Sequence, residues 1–544
     1  MKFPRSGRPL SRSLSCWIAV LILFVLSLFA GLAAGQLAIN PVSLDFGVVS
    51  QGKNLSQSVT LTNKSSATLK VLDIVPTGAG AAAYSVKGPT MPLLLSAGQK
   101  ATFNVIFTPA SALTFSGSVV VVSKASNSPQ HITLTGTGWV PVRSKVPASL
   151  FGMDVHPEVL TGQIPWPAIP FGSLRLWDTL TDWGTLNPSQ NTYDWSNLDS
   201  WLEMAKQQGQ TDILYTFGEV PQWASSNPND QTCVALNTPP GSCDAPYDLN
   251  SDGSGPDLLW QNYVTALVTH AAGRVHYWEV WNEPDVPQMW NGTTAQMLRM
   301  VADAYTIIKS IDPSALVTTP TTVNTNNGHT IDHWLPPYLA AGGSAYADIV
   351  TFHGYVNTGE GRAPEWITNT VDNVTTAVAG TPLSSKPIWN TEGAWTAGSN
   401  LTDPDLQAAL VARVYLLQWF KGVSRFYWFQ YGGGGGPLWT PSGPSEAETA
   451  YGEVYGWLEG ATLTGPCTTV GNVWTCTFTK AGGVQQQQAV WDASKTCSGG
   501  KCTTSSYTPD SVYTQYTDLE GNVTTFSPGT TIRIGAKPIL LANQ

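Results

Sequence analysis

The sequence predicts a multidomain chain: a (β/α)8 TIM barrel over residues 148–457, preceded by a β-sandwich over 36–140 and followed by a smaller β-sandwich over 458–544. Three observations predict it. Between 148 and 457, apolar strand-like runs alternate with helical patterns, and eight such runs can be counted. The flanking regions lack that alternation and carry short β-patterned runs broken by turn residues. Of the 544 residues only 12 % are charged and 42 % are hydrophobic, a balance that excludes a disordered chain.

Residues 1–35 read as a targeting segment. Lys2, Arg5, Arg8 and Arg12 make a positive region, an apolar run follows from Trp17 to Ala34, and Ala33, Ala34 and Gly35 supply small residues before Gln36. This is the pattern of an export signal cleaved near Gly35. The run also approaches the roughly 20 apolar residues that a membrane span needs, so an uncleaved tether through residues 17–34 is the competing reading. Both readings put the chain outside the cytoplasm: secreted, periplasmic or on the cell surface.

In the first sandwich, Leu44 and Phe46 alternate, as do Val59 and Leu61, then Phe103, Val105 and Phe107, then Val119 and Val121. Gln51-Gly52-Lys53 and Ser96-Ala97-Gly98 supply turns between them. The phrases Leu44-Asp45-Phe46-Gly47, Phe107-Thr108-Pro109-Ala110 and Ile132-Thr133-Leu134-Thr135-Gly136-Thr137-Gly138 resemble immunoglobulin-like domains of the abnormal-spindle/hydin type. That resemblance implies a spacer or adhesion module, and the region carries no catalytic cluster.

The eight candidate barrel strands are Ser149–Met153, Ser173–Trp177, Asp212–Phe217, Val275–Trp281, Leu316–Thr319, Ile349–His353, Pro387–Thr391 and Arg425–Gln430. Helical patterns between them include Leu198–Gln208, Leu259–Ala272, Ala295–Ser310 and Asp405–Phe420. In such barrels the chemistry sits at the C-terminal ends of the strands, where loops vary without disturbing the core. Two of these ends carry a glutamate. The fourth runs out as Trp281-Asn282-Glu283-Pro284 and the seventh as Asn390-Thr391-Glu392-Gly393, on opposite sides of the barrel mouth. A retaining glycosidase needs two carboxyls about 5–5.5 Å apart, one as acid/base and one as nucleophile.

The Trp-Asn-Glu-Pro element and the later strand-end glutamate resemble the glycoside hydrolases of clan A, family 39 most and family 5 more distantly. The resemblance implies Glu283 as general acid/base, Glu392 as nucleophile and Asn282 as the partner of the sugar 2-hydroxyl. Arg175, in Leu174-Arg175-Leu176-Trp177-Asp178, is placed to hold the nucleophile ionised; a core ion pair with Glu279 is its alternative. His353 and Tyr355 close the sixth strand, and in similar enzymes such a pair brackets the nucleophile and binds sugar hydroxyls. Trp428, near the end of the eighth strand, is expected to floor the sugar site, with Trp177 and Trp395 adding to a sugar groove. Asp154, Asp178 and Asp285 also fall near the rim, and the insert Ser225–Pro256 is expected to wall one side of it.

Beyond Cys16, six cysteines fall into three close pairs: Cys233 and Cys243, Cys467 and Cys476, Cys497 and Cys502. Even numbers in an exported chain predict disulfides in short local loops. No metal or cofactor is called for: G-x-x-x-x-G-K-[ST], H-E-x-x-H and G-x-S-x-G are all missing. With 27 basic and 37 acidic residues the net charge is −10, which excludes a nucleic-acid partner. The expected function is a secreted retaining β-glycoside hydrolase acting on an oligo- or polysaccharide. The alternatives are a transglycosylase with the same residues and a non-catalytic carbohydrate-binding or adhesion protein on a barrel scaffold.

Overall fold

A computed structural model describes residues 36–543 except 112, 140–144, 237, 325–330, 359–360, 396–400 and 481–484. The expected signal or tether over 1–35 therefore lies outside the described residues, among which no helix is long and apolar enough to cross a membrane. The chain divides into two units, Met1–Trp139 and Val140–Gln544.

The first unit is a two-sheet sandwich. One sheet orders its strands Leu37–Asn40, Leu55–Asn63, Lys100–Phe107, Tyr84–Lys87. The other runs Ser43–Ser50, Gln130–Trp139, Thr114–Ser123, Leu69–Thr77, Leu93–Leu95. The period-2 pattern read in the sequence is the inward face: Val59, Leu61, Phe103, Val105 and Phe107 from one sheet meet Val119, Val121, Ile132 and Leu134 from the other.

The barrel strands are β1 Phe151–Val155, β2 Ser173–Leu176, β3 Ile213–Thr216, β4 Tyr277–Glu279, β5 Leu316–Thr318 resuming at Thr322–Val323, β6 Val350–His353, β7 Ile388–Gly393 and β8 Val423–Tyr431. All neighbouring pairs are parallel, in the order β5-β4-β3-β2-β1-β8-β7-β6-β5. The two ends of that order are the two pieces of β5, and Thr318 bridges to Ile349, so the barrel closes. Each predicted strand coincides with an observed one to within a few residues.

The helices begin where local chemistry dictates. Thr293 and Gln296 form a capping box for the helix Thr294–Ile311, and Asp403 caps Pro404–Phe420 with proline at its first position. That last helix is buried all round from Ala408 onward because β8 covers one side and the helix Glu446–Leu458 the other.

The C-terminal region is built on a seven-stranded antiparallel sheet centred on Val473–Lys480, Gln485–Asp492 and Ile539–Ala542. A two-stranded ribbon, Ser505–Tyr507 with Ile532–Ile534, closes over it around Val490, Ile534 and Leu541. The predicted hairpin turn at 518–522 joins Gln515–Thr517 to Val523–Thr525, with Asp518 Oδ1 accepting from the N–H groups of Glu520 and Asn522. The region is tied to the barrel helices by Trp491 Nε1 to Glu365 (2.7 Å) and by Lys537 to Asp405 (2.5 Å). The three predicted disulfides are formed as paired: Cys233–Cys243, Cys467–Cys476 and Cys497–Cys502.

The N-terminal mouth of the barrel is plugged by Arg425. Its guanidinium pairs with Asp212, Nη2 reaching Oδ2 at 2.8 Å, and lies over the rings of Tyr277 (4.3 Å) and Trp389 (4.2 Å), which meet edge to face. Asp212 is only half-buried, so losing its partner costs less than stranding a fully buried charge, about 1–3 kcal/mol. Arg425→Ala should therefore destabilise the second unit by about 2 kcal/mol, read as a lower denaturant midpoint, with Arg425→Lys intermediate because lysine lacks the flat fork that stacks on an aromatic ring.

Candidate active site

β4 stops at Glu279, earlier than the sequence suggested, and the chain turns sharply through Trp281, Asn282 and Glu283. Trp281 and Glu283 have φ of 86° and 45°, a left-handed conformation that costs a non-glycine residue about 1–3 kcal/mol. Packing holds the turn. The Trp281 ring meets Trp290 at 5.0 Å and Trp260 at 6.2 Å, and its Nε1 donates to the Met289 carbonyl at 3.0 Å. Asn282 bridges in parallel to Thr321, in the interruption of β5. Across the mouth, Glu392 belongs to β7 itself and sits in register with His353 of β6.

The two glutamates meet over these elements. A carboxylate oxygen of Glu283, one of Glu392 and a ring nitrogen of His353 all lie within 4.8 Å of one another. His353 Nδ1 is 2.6 Å from Glu283 Oε1. Its Nε2 faces Arg175 Nη2 at 3.4 Å. A guanidinium only donates, so Nε2 is the acceptor and Nδ1 carries the proton given to Glu283. Burial, with Arg175 nearby, holds the imidazole down to about 4 and hence neutral, against the pull of Glu392 and Glu279. This trio has donor atoms at metal-site spacing, but hydrogen bonds within the network already engage them.

Arg175 is the centre of the network. Nε donates to Glu279 Oε2 (2.8 Å), Nη1 to Glu392 Oε2 (2.7 Å) and Asp154 Oδ1 (3.2 Å), and Nη2 to Asn282 Oδ1 (2.7 Å). Arg175 thus touches both Glu392 and Glu279, the partners that the two sequence readings gave it. Glu279 is further held by Thr216 Oγ1 at 2.7 Å and by Thr321 Oγ1. Tyr355 gives its hydroxyl to Glu392 Oε1 at 2.5 Å. Glu392 thus receives a donor on each oxygen. Burial raises it above the ordinary carboxylate range, and the charge of Glu283 adds to this; His353, Arg175 and the Tyr355 hydroxyl pull the other way. Asn282 is buried and its Nδ2 has no acceptor.

Trp177 follows β2 and lies 5.9 Å from the Arg175 guanidinium, lining a cavity of about 320 Å³. Trp428 is placed differently from its expected role as a sugar floor. It is 0 % exposed, donates Nε1 to the Gly436 carbonyl at 2.6 Å and packs edge-on against the buried Trp395 at 5.5 Å. The pair is filled by protein, because the glycine-rich segment after β8 folds back over Trp428. Asp154 is fully buried beside Arg175, and burial holds it well above the ordinary range. Asp285 accepts from the Val323 N–H, and burial together with Glu283 pushes it up to about 8.

Sequence reasoning missed Glu219 and Gln430. Both line the cavity, with Asp178 and Asp182. Glu219 follows the end of β3 and could have been found by the same strand-end rule that selected Glu283. Burial, then the charges of Asp182 and Asp178, push it up to about 8. Gln430 is buried with an Nε2 that has no acceptor; its place depends on how β8 ends, which composition does not reveal.

These raised carboxyls set a pH dependence. Glu219 and Asp285 keep their protons when folded up to about pH 8 and lose them near pH 4 when unfolded. Between those limits the folded state binds more protons, so each contributes stability that is full at low pH and is lost as pH rises through 8. Glu219→Gln and Asp285→Asn should each flatten the fall of unfolding free energy between about pH 5 and 8, by at most about 1.4 kcal/mol per pH unit, read by denaturant titration at each pH.

Residues 257–455 match the family model of the glycosyl hydrolase catalytic core, and residues 35–137 match that of the HYDIN/CFA65/VesB-like, Ig-like domain. Among solved structures the chain is similar to a family 39 glycoside hydrolase from the gut symbiont Bacteroides cellulosilyticus WH2, at 16 % identity over 94 % of this chain and 100 % of that one, with a TM-score of 0.53. It is also similar to a glucosidase from Croceicoccus marinus, at 14 % identity over 74 % of this chain and 96 % of that one, with a TM-score of 0.50. No curated protein matches the chain. At such identities the likeness to solved structures is one of fold; the family models add a match of part of the closed barrel to a glycosyl hydrolase catalytic core and of the sandwich before it to an Ig-like domain.

Proposed function

We propose that the chain is an exported retaining β-glycoside hydrolase of oligo- or polysaccharides. The observation that carries this reading is the glutamate pair at the barrel mouth, with oxygens within 4.8 Å. That spacing suits double displacement; an inverting pair stands about 6.5–9.5 Å apart to admit a water. Export rests on the three disulfides and the basic-apolar segment at the N-terminus.

In this reading Glu392 attacks the anomeric carbon while Glu283 gives a proton to the departing oxygen. A glycosyl ester forms at Glu392 and the aglycone leaves. Glu283, now a base, takes a proton from water, whose oxygen displaces Glu392 and restores both groups. Arg175 and Tyr355 favour the ionised form of Glu392 by donating to both its oxygens, against the burial that raises it. Neutral His353 orients Glu283, and Asn282 offers its unused Nδ2 to the sugar 2-hydroxyl. With a sugar hydroxyl in place of water the same steps transfer the glycosyl group.

Glu283→Gln should lower kcat/KM for glycosides with poor leaving groups by about 10²–10⁴-fold and spare kcat/KM for dinitrophenyl glycosides, whose turnover should fall because water attack loses its base. Glu392→Gly should lose both. Azide should then yield a β-glycosyl azide from a Glu283→Ala variant and an α-glycosyl azide from the Glu392 variant. Activity of Glu392→Gly without azide would sink the assignment.

The cavity beside the pair argues for a neutral glycone. Its lining holds Asp178, Asp182 and Glu219 against one imidazole, His156, and Arg175 is already shared among Asp154, Glu279 and Glu392. A uronic carboxylate would meet the charges of Asp182 and Asp178, which add to the burial that raises Glu219. Aryl β-glucosides or β-xylosides should exceed the matching β-glucuronide by at least about tenfold in kcat/KM; equal values would remove this preference.

A further inference from the structure

The cavity beside the glutamate pair is walled by the ends of β1, β2, β3 and β8 and the segments after them, and its lining includes neither Glu283 nor Glu392. Its polar groups are left over from the fold. Glu219, after β3, and Asp178, after β2, receive no hydrogen bond from any of the described residues. Asp182 differs, because its oxygens already accept from the N–H (2.8 Å) and hydroxyl (2.7 Å) of Thr185. Gln430, in β8, is buried with an Nε2 that has no acceptor. His156 accepts from the Glu158 N–H at Nδ1 (3.3 Å), so its proton sits on Nε2. A Cβ on Gly433 would stand 2.6 Å from Gln430 Oε1 and 2.7 Å from the His156 ring, so only glycine lets the segment after β8 lie against both.

The backbone is strained at the same place. Among the described residues seven non-glycine positions have a left-handed φ. Three of them line this cavity, Asp178 (54°), Leu180 (59°) and Glu219 (60°), and two more make the turn that carries Glu283. Strain of this kind persists where function uses it. Burial, then the charges of Asp182 and Asp178, push Glu219 up to about 8, so near neutral pH it holds a proton and can both donate and accept. A sugar hydroxyl has the same double capacity. Unpaired polar groups sheltered from water gain most from a ligand that supplies the missing hydrogen bonds.

Resting on the glycosidase reading above, we propose that Glu219 is a specificity residue: with Gln430 in the same wall, it hydrogen-bonds a hydroxyl of the glycone remote from the bond that is cleaved. The remoteness follows from the lining, which leaves both glutamates outside the cavity. Two rings offer such a hydroxyl with the same chemistry, the far edge of the reacting sugar and the next sugar along the glycone. The contact would select the sugar without touching the reacting atoms, and it would explain why a carboxyl without a protein donor is kept on a left-handed backbone.

The test compares the full chain with Glu219→Gly and Glu219→Gln on nitrophenyl β-xyloside, β-glucoside, β-xylobioside and β-cellobioside. Glycine removes the carboxyl and adopts the left-handed backbone freely, so Glu219→Gly should keep the melting temperature while kcat/KM falls about tenfold. Glu219→Gln keeps a donor and an acceptor and should stay within about threefold of the wild type. Glu219→Ala takes the place of the glycine variant if that one fails to fold. A loss with the monosaccharide glycosides puts the hydroxyl on the reacting ring; a loss confined to the disaccharide glycosides puts it on the next ring. Unchanged kcat/KM in Glu219→Gly with every substrate would overturn the assignment. An equal loss in Glu219→Gln with a melting temperature that falls in step would make the role structural and overturn it as well. If the wild type turns over none of these glycosides, the glycosidase reading fails for these sugars, and calorimetric titration with xylobiose and cellobiose judges the cavity by itself. Heat that Glu219→Gly loses would uphold the contact, and no heat in the wild type would overturn it.

Discussion

One guanidinium holds the upper half of the barrel together. The five N–H groups of Arg175 are divided among Glu279 below, Asp154 beside, Glu392 above, and Asn282 and His353 across the mouth. These partners come from β1, β4, β6, β7 and the turn after β4, so one side chain sets the relative positions of most of the rim. Three carboxylates around one cation would repel each other in a dry core. Glu279 is tolerated because Thr216 and Thr321 donate to it, and Asp154, whose Oδ2 is buried without a donor, because burial favours its protonated form. Removing the arginine would strand buried charge on three strands at once, which is why its function and its structural role cannot be separated.

That arrangement explains the division of the barrel interior. Its lower layer is apolar and aromatic, with Leu214, Ile349, Trp389 and Tyr427 packed together above the Arg425–Asp212 pair. Its upper layer is polar, a ladder of Thr216, Thr319, Thr321 and Thr351 leading to Glu279 and Arg175. The threonines keep the β-branched shape that strands favour while supplying hydroxyls to a buried charge. β5 gives way between Thr318 and Thr322, where Thr321 reaches Glu279 and Asn282 takes up the backbone pairing. The irregularity lies where the acid-bearing turn needs support.

Much of this was legible from the chain. Period-2 alternation located the first sandwich, and the eight strand-like runs located the barrel, because burial on both faces makes parallel strands read as continuous apolar stretches. The strand-end rule singled out Glu283 and Glu392, and the resemblance to clan A glycoside hydrolases added what His353 and Tyr355 at the end of β6 could do; Arg175 was read from its place within β2. What escaped it depends on how loops fold back. Trp428 reads as an exposed platform by position, but the glycines after β8 let the chain return over it. Glu219 and Gln430 face a cavity whose walls come from β1, β2, β3 and β8 together, a convergence with no periodic signature. The second sandwich was read as a unit, whereas its ribbon is only two short strands whose pairing depends on contacts distant in sequence.

The two glutamates differ in how they are held, and the difference bears on which can exchange a proton. Glu392 lies inside β7 with a donor on each oxygen, so its carboxylate form is anchored at the cost of burial. Glu283 projects from a turn in a left-handed conformation and meets an imidazole that is itself neutral. A charged imidazole would have fixed Glu283 as a carboxylate and spoiled it as an acid. Burial makes protonation of that ring costly, and Arg175, 3.4 Å from its far nitrogen, adds to the cost. The cation that favours one carboxylate thus helps burial to keep a second cation away from the other, and the two glutamates differ in the way the proposed mechanism requires.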